Sequence, residues 1–406
     1  MKKIEGGVTA PKGFLTGSVA AGIKKKKKDM TVLVSEVPAT VAGAFTTNVV
    51  KAAPVVWDQA IVSSGNAVKA VVVNSGNANA CTGEQGDWDV ESMAMKVADT
   101  LLSDRKEVLV CSTGVIGVPL PMDRVLNGIE SCMENLAATA EAAAESAEAI
   151  LTTDTFVKSL AVEIEIGGIP VRIGGMAKGS GMIHPNMATM LSFITTDAAV
   201  EQSHLQTLLG ATVVDSYNMI SVDGDTSTND TVLVLANGTS GAAISDSESE
   251  EGRLFSEAFL HVHTELAKMI VMDGEGAGKF IEVQVKGAPT KNDARLMARS
   301  VISSNLVKTA FFGSDANWGR MLCAMGYSGA KFDPASVSIT YASEQGMIAV
   351  MTEGVPIAFN EELAKKILGE KIIHVAAKVG TGEGEATAWG CDLSYEYVRI
   401  NGDYRS

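Results

Sequence analysis

The sequence predicts a mixed α/β fold in which a large first domain is followed by a smaller α+β domain. Its 406 residues are enough for two or three domains of ordinary size. Short runs rich in β-branched residues alternate with stretches of helical composition, as in mixed α/β proteins. The pattern changes after the glycine-rich stretch at 273–279, and we therefore predict domains at 1–280 and 281–406.

Strands are predicted where β-branched runs are bounded by Gly, Pro, Asn or Ser. In the first domain the predicted strands are TVLVSEV, TVAGAFTT, APVVW, KAVVVNSG and VLVLANG. The alternating segment VEIEIGGIPVRI predicts a hairpin that turns at Gly-Gly-Ile-Pro. Helices are predicted at 87–102, 123–151, 205–218 and 251–272. In the second domain we predict strands at EVQVKG, SVSITYAS, MIAVMTEG and HVAAKVG, and helices at 291–305 and 360–368.

Composition excludes several classes of function. Lys and Arg total 33 against 48 Asp and Glu, so the formal charge is −15, too acidic for a chain that meets nucleic acid with a basic face. No run of about 18 apolar residues predicts a membrane span. The opening MKKIEGGVTAPKG lacks the apolar stretch of a secretory signal. Five scattered cysteines without a CxxC pair favour a reducing compartment, and we expect the cytoplasm.

Metal and nucleotide motifs are weak in this sequence. His261 and His263 are two positions apart in a predicted helix and so do not share a face. GEGAGK at 274–279 lacks the phosphate-loop spacing, and GTGEGE at 380–385 carries glutamates that would repel phosphate, so both predict tight turns. No metal site and no cofactor are expected. The sequence contains no GxSxG elbow, which argues against an ordinary α/β-hydrolase. The lysine run at 24–28 predicts a solvated loop, with a polyanion site as the alternative.

The most informative segment is MAKGSGMIHPNMATMLS at 176–192, a loop that leads into a predicted strand. Thr189 is open to two interpretations. It is a β-branched residue at the start of a strand, or its hydroxyl attacks the carbonyl of Ala188. In the second case an N-to-O acyl shift and hydrolysis free Thr189 as a new chain start. Its α-amine, with an ordinary pKa of about 7.7–8.0, is then a general base beside its own hydroxyl.

This segment resembles the signature of the ornithine acetyltransferase family, also called the bifunctional glutamate N-acetyltransferases of arginine biosynthesis. The resemblance extends along nearly the whole chain. The further matching segments, in order, are AGAFTTNVVKAAPV, AVVVNSGNANACTG, CSTGVIG, LTTDT, DGDTSTND, DGEGAGKF, GSDANWGR and NGDYRS.

The resemblance implies a self-processing αββα-type sandwich followed by the smaller domain. It implies cleavage between Ala188 and Thr189 into an α chain (1–188) and a β chain (189–406), paired as a heterotetramer of two α and two β chains. It further implies ping-pong transfer, in which Thr189 takes acetyl from N2-acetylornithine and passes it to glutamate. The products are ornithine and N-acetylglutamate. Acetyl-CoA stays open as a second donor.

Individual roles also come from the resemblance. Thr113 and Gly114 match a pair that stabilises the oxyanion, which a hydroxyl and a backbone N–H can do. Lys178 suits an α-carboxylate and Glu275 suits an ammonium group. Thr153 is an alternative to Thr152 in LTTDT. The full set of expected substrate-binding residues is Thr152, Lys178, Thr189, Glu275, Asn401 and Ser406.

Two rival functions remain at this point. One is a self-cleaving aminopeptidase or amidase, in which water takes the acyl group instead of glutamate. The other is a non-catalytic homologue, which predicts an uncut chain of about 42 kDa. In each case the expected ligands are small molecules, with neither nucleic acid nor membrane as a partner.

Overall fold

The structure is a computed structural model, and it describes residues 1–184 and 190–403. The strands in these ranges are β1 (Lys2–Ile4), β2 (Phe14–Val19), β3 (Met30–Phe45), β4 (Val68–Asn77), β5 (Val108–Val115), β6 (Lys158–Ile166), β7 (Ile169–Lys178), β8 (Leu191–Thr196), β9 (Ala199–Val200), β10 (Ile220–Ser221), β11 (Thr231–Ala236), β12 (Ala243–Ile244), β13 (Phe280–Ala288), β14 (Ser338–Ser343), β15 (Gly346–Thr352), β16 (Val355–Pro356), β17 (Ile372–Lys378) and β18 (Gly384–Cys391). The α-helices are α1 (Ala53–Ser64), α2 (Gly83–Leu101), α3 (Met122–Glu134), α4 (Ala140–Ala149), α5 (Gln202–Asp215), α6 (Glu250–Met272), α7 (Lys291–Ser303), α8 (Asn305–Phe312), α9 (Trp318–Gly326), α10 (Glu361–Leu368) and α11 (Tyr395–Asp403).

The 16-residue strand β3 belongs to two sheets that face each other. Its first half pairs with β2 and β4, and β4 continues to β5. Its second half pairs with β11, and that sheet continues through β8, β7 and β6 to β1. Leu33 and Leu109 of the first sheet share a buried cluster with Phe193 and Leu233 of the second. Because strand side chains alternate between faces, these residues define the two inner faces of a sandwich.

Helices cover both outer faces. Val32, Val72 and Val110, on the other face of the first sheet, form a buried cluster with residues of α2 and α3. Helix α6 packs on β6 and β7, and α5 packs on β3, so the second sheet is covered as well. The order of layers is therefore helix, sheet, sheet, helix, which confirms the predicted αββα sandwich.

The C-terminal part forms a sheet of its own, in the strand order β10-β18-β13-β17-β14-β15-β16. Helix α7 packs on β13 and β18, and α10 packs on β14. Helix α6 contacts β6 and β7 on one side and β18 on the other, so one apolar core continues from the sandwich into this sheet. The boundary at residue 280 stays a prediction. No helix of the described residues is long and apolar enough to cross a bilayer.

Local predictions held where the backbone signal was strong. The hairpin of β6 and β7 pairs Ile166 with Ile169 across Gly167 and Gly168, whose φ angles are +55° and +80°. Two consecutive positive φ angles suit a two-residue turn in which glycine is favoured. The predicted turn was too long, because Ile169 and Pro170 already belong to β7.

One predicted element was wrong in type, and three were wrong in their boundaries. APVVW lies in helix α1, where Pro54 occupies the first turn and Val55, Asp58 and Ile61 are buried at helical spacing. The predicted helix 123–151 is divided into α3 and α4, and Thr139 caps α4 by accepting a hydrogen bond from an amide of its first turn. TVLVSEV and TVAGAFTT form the single strand β3.

The carboxyl of Asp58 lies fully buried in helix α1 and fixes strand β5. Its Oδ1 accepts a hydrogen bond from the Val110 amide at 2.8 Å, and its Oδ2 accepts one from the Cys111 thiol at 3.4 Å. Burial raises the pKa of Asp58 well above its ordinary value, although both hydrogen bonds act in the opposite direction. The folded protein therefore keeps a proton here that the unfolded chain loses near pH 4.

We expect Asp58→Asn to flatten the pH dependence of stability. The raised pKa stabilises the protonated folded form, so wild-type stability falls as pH rises from about 4 towards the folded-state pKa. In that window each pH unit costs about 1.4 kcal/mol of the free energy of unfolding. Thermal denaturation between pH 4.5 and 8 should give the variant a midpoint above wild type at pH 8 and a smaller gap at pH 4.5. Asp99→Asn, at an exposed position on α2, is the control, and parallel profiles for all three proteins would contradict the expectation.

Candidate active site

A cleft of about 720 Å³, counting its open mouth, lies where β5 and β7 end and β8 begins. Its walls contain six of the residues expected from the sequence, and these come from five separate segments. The six are Thr113, Gly114, Thr152, Lys178, Glu275 and Asn401. Thr153 also lines the cleft, so the choice between Thr152 and Thr153 stays open.

Strand β5 presents Thr113 and Gly114 at the edge of the cleft. Leu109 and Cys111 belong to the core between the sheets, and Thr113 continues the same face. Gly114 has a φ of +134° and pairs with Gly76 of β4. A Cβ at Gly114 would lie 2.3 Å from the carbonyl carbon of Gly76, so only glycine allows this approach of the two strands.

Lys178 is the last residue of β7 and points towards the same place. Its Nζ lies 3.2 Å from Thr113 Oγ1. An ammonium group only donates hydrogen bonds, so the Thr113 oxygen accepts and its own proton stays available to the cleft. Burial lowers the pKa of Lys178, and the nearby Asp154 carboxylate opposes that shift.

Within the LTTDT segment, the Asp154 side chain fixes the backbone by hydrogen bonding. Its Oδ2 accepts a hydrogen bond from the Thr152 amide at 3.0 Å, and its Oδ1 accepts one from Lys158 Nζ at 2.7 Å. Burial alone would raise the pKa of Asp154, but the charges of Lys178 and Lys158 outweigh it and lower the pKa to about 2. Asp154 is therefore an ionised, buried carboxylate directly behind the wall of the cleft.

Glu275 and Asn401 form another part of the cleft wall. The Glu275 Oε2 accepts a hydrogen bond from Asn401 Nδ2 at 2.8 Å, which brings α11 to the cleft. The Glu275 amide donates to the Ser180 carbonyl at 3.0 Å. A Cβ at Gly181 would lie 2.3 Å from a Glu275 carboxylate oxygen, so the glycine makes room for the acidic group.

Sequence reasoning gave no role to the DGDTSTND segment, yet four of its residues line the cleft: Ser227, Thr228, Asn229 and Asp230. Asn229 Nδ2 donates to the carbonyls of Ala78 at 2.6 Å and Ser112 at 2.8 Å. The segment thereby ties the start of β11 to the ends of β4 and β5. A dense run of Asp, Ser, Thr and Asn before a buried strand was the signal available in the sequence.

Three expected positions, Ala188, Thr189 and Ser406, lie outside the described residues. Met190 and Leu191, which follow Thr189 in the chain, line the cleft.

The lysine run reaches the LTTDT segment through Lys24. Lys24 donates to the Leu151 carbonyl at 2.9 Å, while Lys25, Lys26 and Lys27 are exposed. Among the described residues no group of three or more His, Cys, Asp or Glu is arranged to hold a metal ion.

Comparisons with known proteins give the family. A profile of the ArgJ family matches residues 15–406. The arginine biosynthesis bifunctional protein ArgJ of Caldanaerobacter subterraneus subsp. tengcongensis is 52% identical over 406 residues, covering 100% of both chains. The protein of that name from Symbiobacterium thermophilum is 55% identical over 410 residues, again covering 100% of both chains. A crystal structure of ArgJ from Bacillus halodurans, 43% identical, covers 53% of this chain and 100% of the solved one, with a TM-score of 0.50. With a family match and relatives that extend from end to end, the chain belongs to the ArgJ family.

Proposed function

We propose that this protein is a glutamate N-acetyltransferase of arginine biosynthesis that transfers acetyl from N2-acetylornithine to glutamate after cleaving itself at Thr189. The observation that carries the proposal is the convergence in one cleft of Thr113, Gly114, Lys178, Glu275 and Asn401 next to Met190 and Leu191. The proposed oxyanion donors, the Lys178 cation and the Glu275 anion therefore line the same cleft as Met190, the chain neighbour of the proposed nucleophile.

Self-cleavage comes first. The Thr189 Oγ attacks the carbonyl carbon of Ala188, and the peptide C–N bond breaks as the Thr189 nitrogen takes a proton. Water then hydrolyses the resulting ester, which leaves a carboxylate on Ala188 and a free amine on Thr189.

Acetyl transfer then proceeds in two halves. The Thr189 Oγ attacks the acetyl carbonyl of N-acetylornithine, its proton passes to the Thr189 α-amine, and that proton is delivered to the departing ornithine nitrogen. The Thr113 hydroxyl and the Gly114 N–H stabilise the negative oxygen of the tetrahedral intermediate. In the second half the neutral amine of glutamate attacks the acetyl ester, and the proton that it loses passes through the Thr189 α-amine to Thr189 Oγ as that oxygen leaves.

The charges of the cleft match this substrate. N-acetylornithine carries its α-carboxylate and its acetamide on the same carbon, so a cation for the carboxylate belongs beside the oxyanion donors. Lys178, at 3.2 Å from Thr113, has that position. The side-chain ammonium of ornithine suits the Glu275 carboxylate, which Asn401 orients from α11. Thr152, with Thr153 as its alternative, completes the proposed substrate-binding set together with Thr189 and Ser406.

We further propose that the processed chains form a heterotetramer of two α and two β chains in the cytoplasm, working without a cofactor. The substrates are small molecules. Acetyl-CoA is the candidate for a second acetyl donor, and an assay of thiol release from acetyl-CoA in the presence of glutamate decides this.

The test of the function is direct. On a denaturing gel the purified protein should give two fragments, corresponding to 188 and 218 residues. With N-acetylornithine and glutamate together it should form N-acetylglutamate and ornithine in equal amounts. Release of acetate without glutamate would favour the aminopeptidase or amidase, and an uncut chain without turnover would favour the non-catalytic homologue.

A further inference from the structure

We infer that Asp154 is a positioning residue that holds Lys178 in its charged form against Thr113 and thereby keeps the Thr113 hydroxyl proton directed to the reacting oxygen. This inference rests on the proposed function, because the oxyanion role of Thr113 belongs to that proposal. Neither composition nor the family resemblance gave Asp154 a role.

The geometry places Asp154 at the junction of two walls of the cleft. Its side chain is completely buried, and its Oδ1 accepts a hydrogen bond from the Gly179 amide at 2.7 Å. Gly179 follows Lys178, so this bond fixes the backbone at the end of β7. The other carboxylate oxygen, Oδ2, accepts a hydrogen bond from the Thr152 amide at 3.0 Å. One carboxylate therefore fixes the positions of Lys178 and of the LTTDT segment together.

The charges around Lys178 give Asp154 a second effect. Three carboxylates favour the ammonium form of Lys178, namely those of Asp154, Asp230 and Glu275. The Lys158 ammonium and burial oppose it. Removal of the Asp154 charge would leave Lys158 close to Lys178 with less compensation, so the pKa of Lys178 would fall further.

Loss of the Lys178 proton would reverse the hydrogen bond to Thr113. A neutral amine has a lone pair and accepts a hydrogen bond, whereas an ammonium group only donates. The Thr113 hydroxyl would then turn its proton to Lys178 Nζ, at the distance of 3.2 Å, and away from the reacting oxygen. Transfer should therefore fail at high pH, and the pH at which it fails reports the Lys178 pKa.

The chain offers a matched control in Asp273. Lys158 Nζ lies 2.5 Å from Asp273 Oδ2 as well as 2.7 Å from Asp154 Oδ1, so both carboxylates belong to the same buried ion cluster. Asp273 also accepts a hydrogen bond from the Thr155 amide at 2.9 Å, which anchors a neighbouring part of the same loop. Asp154 is the carboxylate with the largest effect on the pKa of Lys178, whereas Asp273 is not among the groups with the largest effects. Neutralising either residue disturbs the cluster, but of the two carboxylates Asp154 has the larger effect on Lys178.

The experiment compares Asp154→Asn, Asp273→Asn and Asp154→Glu as purified, cleaved enzymes, with kcat for transfer from N-acetylornithine to glutamate measured between pH 6 and 10. The fall of kcat at high pH is called the alkaline limb. We expect it to lie about 1–3 pH units lower in Asp154→Asn, the usual effect of removing a nearby opposite charge. The limb of Asp273→Asn should stay at the wild-type pH while its thermal midpoint falls. Asp154→Glu should keep the wild-type limb even with a lower kcat.

Three results would overturn the inference: an unmoved limb in Asp154→Asn, equal movement in both Asn variants, or a moved limb in Asp154→Glu. If Asp154→Asn does not fold, Asp154→Glu can still disprove the inference, because it retains the charge and must therefore retain the limb. Failure of the proposed function gives a different result from failure of this inference alone, because the wild-type enzyme would then show no glutamate-dependent transfer at any pH. In that case the inference is wrong as well.

Discussion

Replacing Thr189 by alanine is expected to leave the chain uncut and to abolish acetyl transfer. Alanine has no hydroxyl, so neither the N-to-O shift nor the acetyl ester can form. Removal of the nucleophile from a hydrolase lowers kcat by about 10⁶-fold, and a loss of that order is expected here. A denaturing gel should show one band of about 42.3 kDa, and the coupled assay should show no N-acetylglutamate.

Thr189→Ser is the matched control, because it keeps a hydroxyl on the same carbon. It should retain measurable cleavage and transfer, and mass spectrometry of the β chain after exposure to N-acetylornithine alone should find one acetyl group on residue 189. Wild-type rates in the alanine variant, or acetylation at another side chain, would disprove the nucleophile assignment. A cleaved alanine variant would disprove self-cleavage by this hydroxyl.

The layers of the fold followed from sequence patterns and the family resemblance, while several element boundaries did not. Segment APVVW is rich in valine and predicts a strand in isolation, but in α1 it buries Val55, Asp58 and Ile61 on one side. The proline in its first turn was the signal that mattered. Tertiary packing outweighs β propensity in such a short segment, because burial is worth more than the intrinsic preference.

The site was predictable only in part, because its residues are brought together by tertiary contacts. Thr113, Lys178 and Glu275 are far apart in the chain, and nothing local in the sequence joins them. They meet because Gly114 pairs with Gly76, β7 leads Lys178 out of the core between the sheets, and Gly181 leaves room for the Glu275 carboxylate. The family resemblance supplied these residues, and the contacts supply the physical reason for them.

The role inferred for Asp154 came neither from sequence patterns nor from the family resemblance. Asp154 stands in the matched LTTDT segment, where a loop aspartate looks like an ordinary solvated residue. Its importance depends on burial against Lys158, which lies four residues later at the start of β6, and on Asp273 from the end of α6. A buried lysine shared by two carboxylates can be recognised only when the segment 154–158 and the end of α6 are seen together, since a buried charge requires partners.

Replacing Thr113 by valine is expected to give the second large loss. Valine keeps the branched shape of threonine but removes the hydroxyl that donates to the oxyanion and accepts from Lys178. Loss of one such donor raises the barrier by about 2.7–4 kcal/mol, which corresponds to a 10²–10³-fold lower kcat. The fall should appear in kcat, with KM for N-acetylornithine changed much less, because the donor stabilises the transition state more than the bound substrate.

Thr113→Ser is the control that separates this role from packing. It loses only a methyl group and keeps both hydrogen bonds, so its kcat should remain within about tenfold of wild type, while Thr113→Val stays at least 10²-fold down. Both variants should still yield some α and β chains on the gel, since cleavage needs to occur only once and tolerates a slow step. Equal loss in the two variants would assign Thr113 to packing, and a rise in KM alone would assign it to substrate binding. A specific loss in the valine variant would leave the Gly114 N–H as the remaining oxyanion donor, and the residual rate would then measure what that donor achieves without its partner.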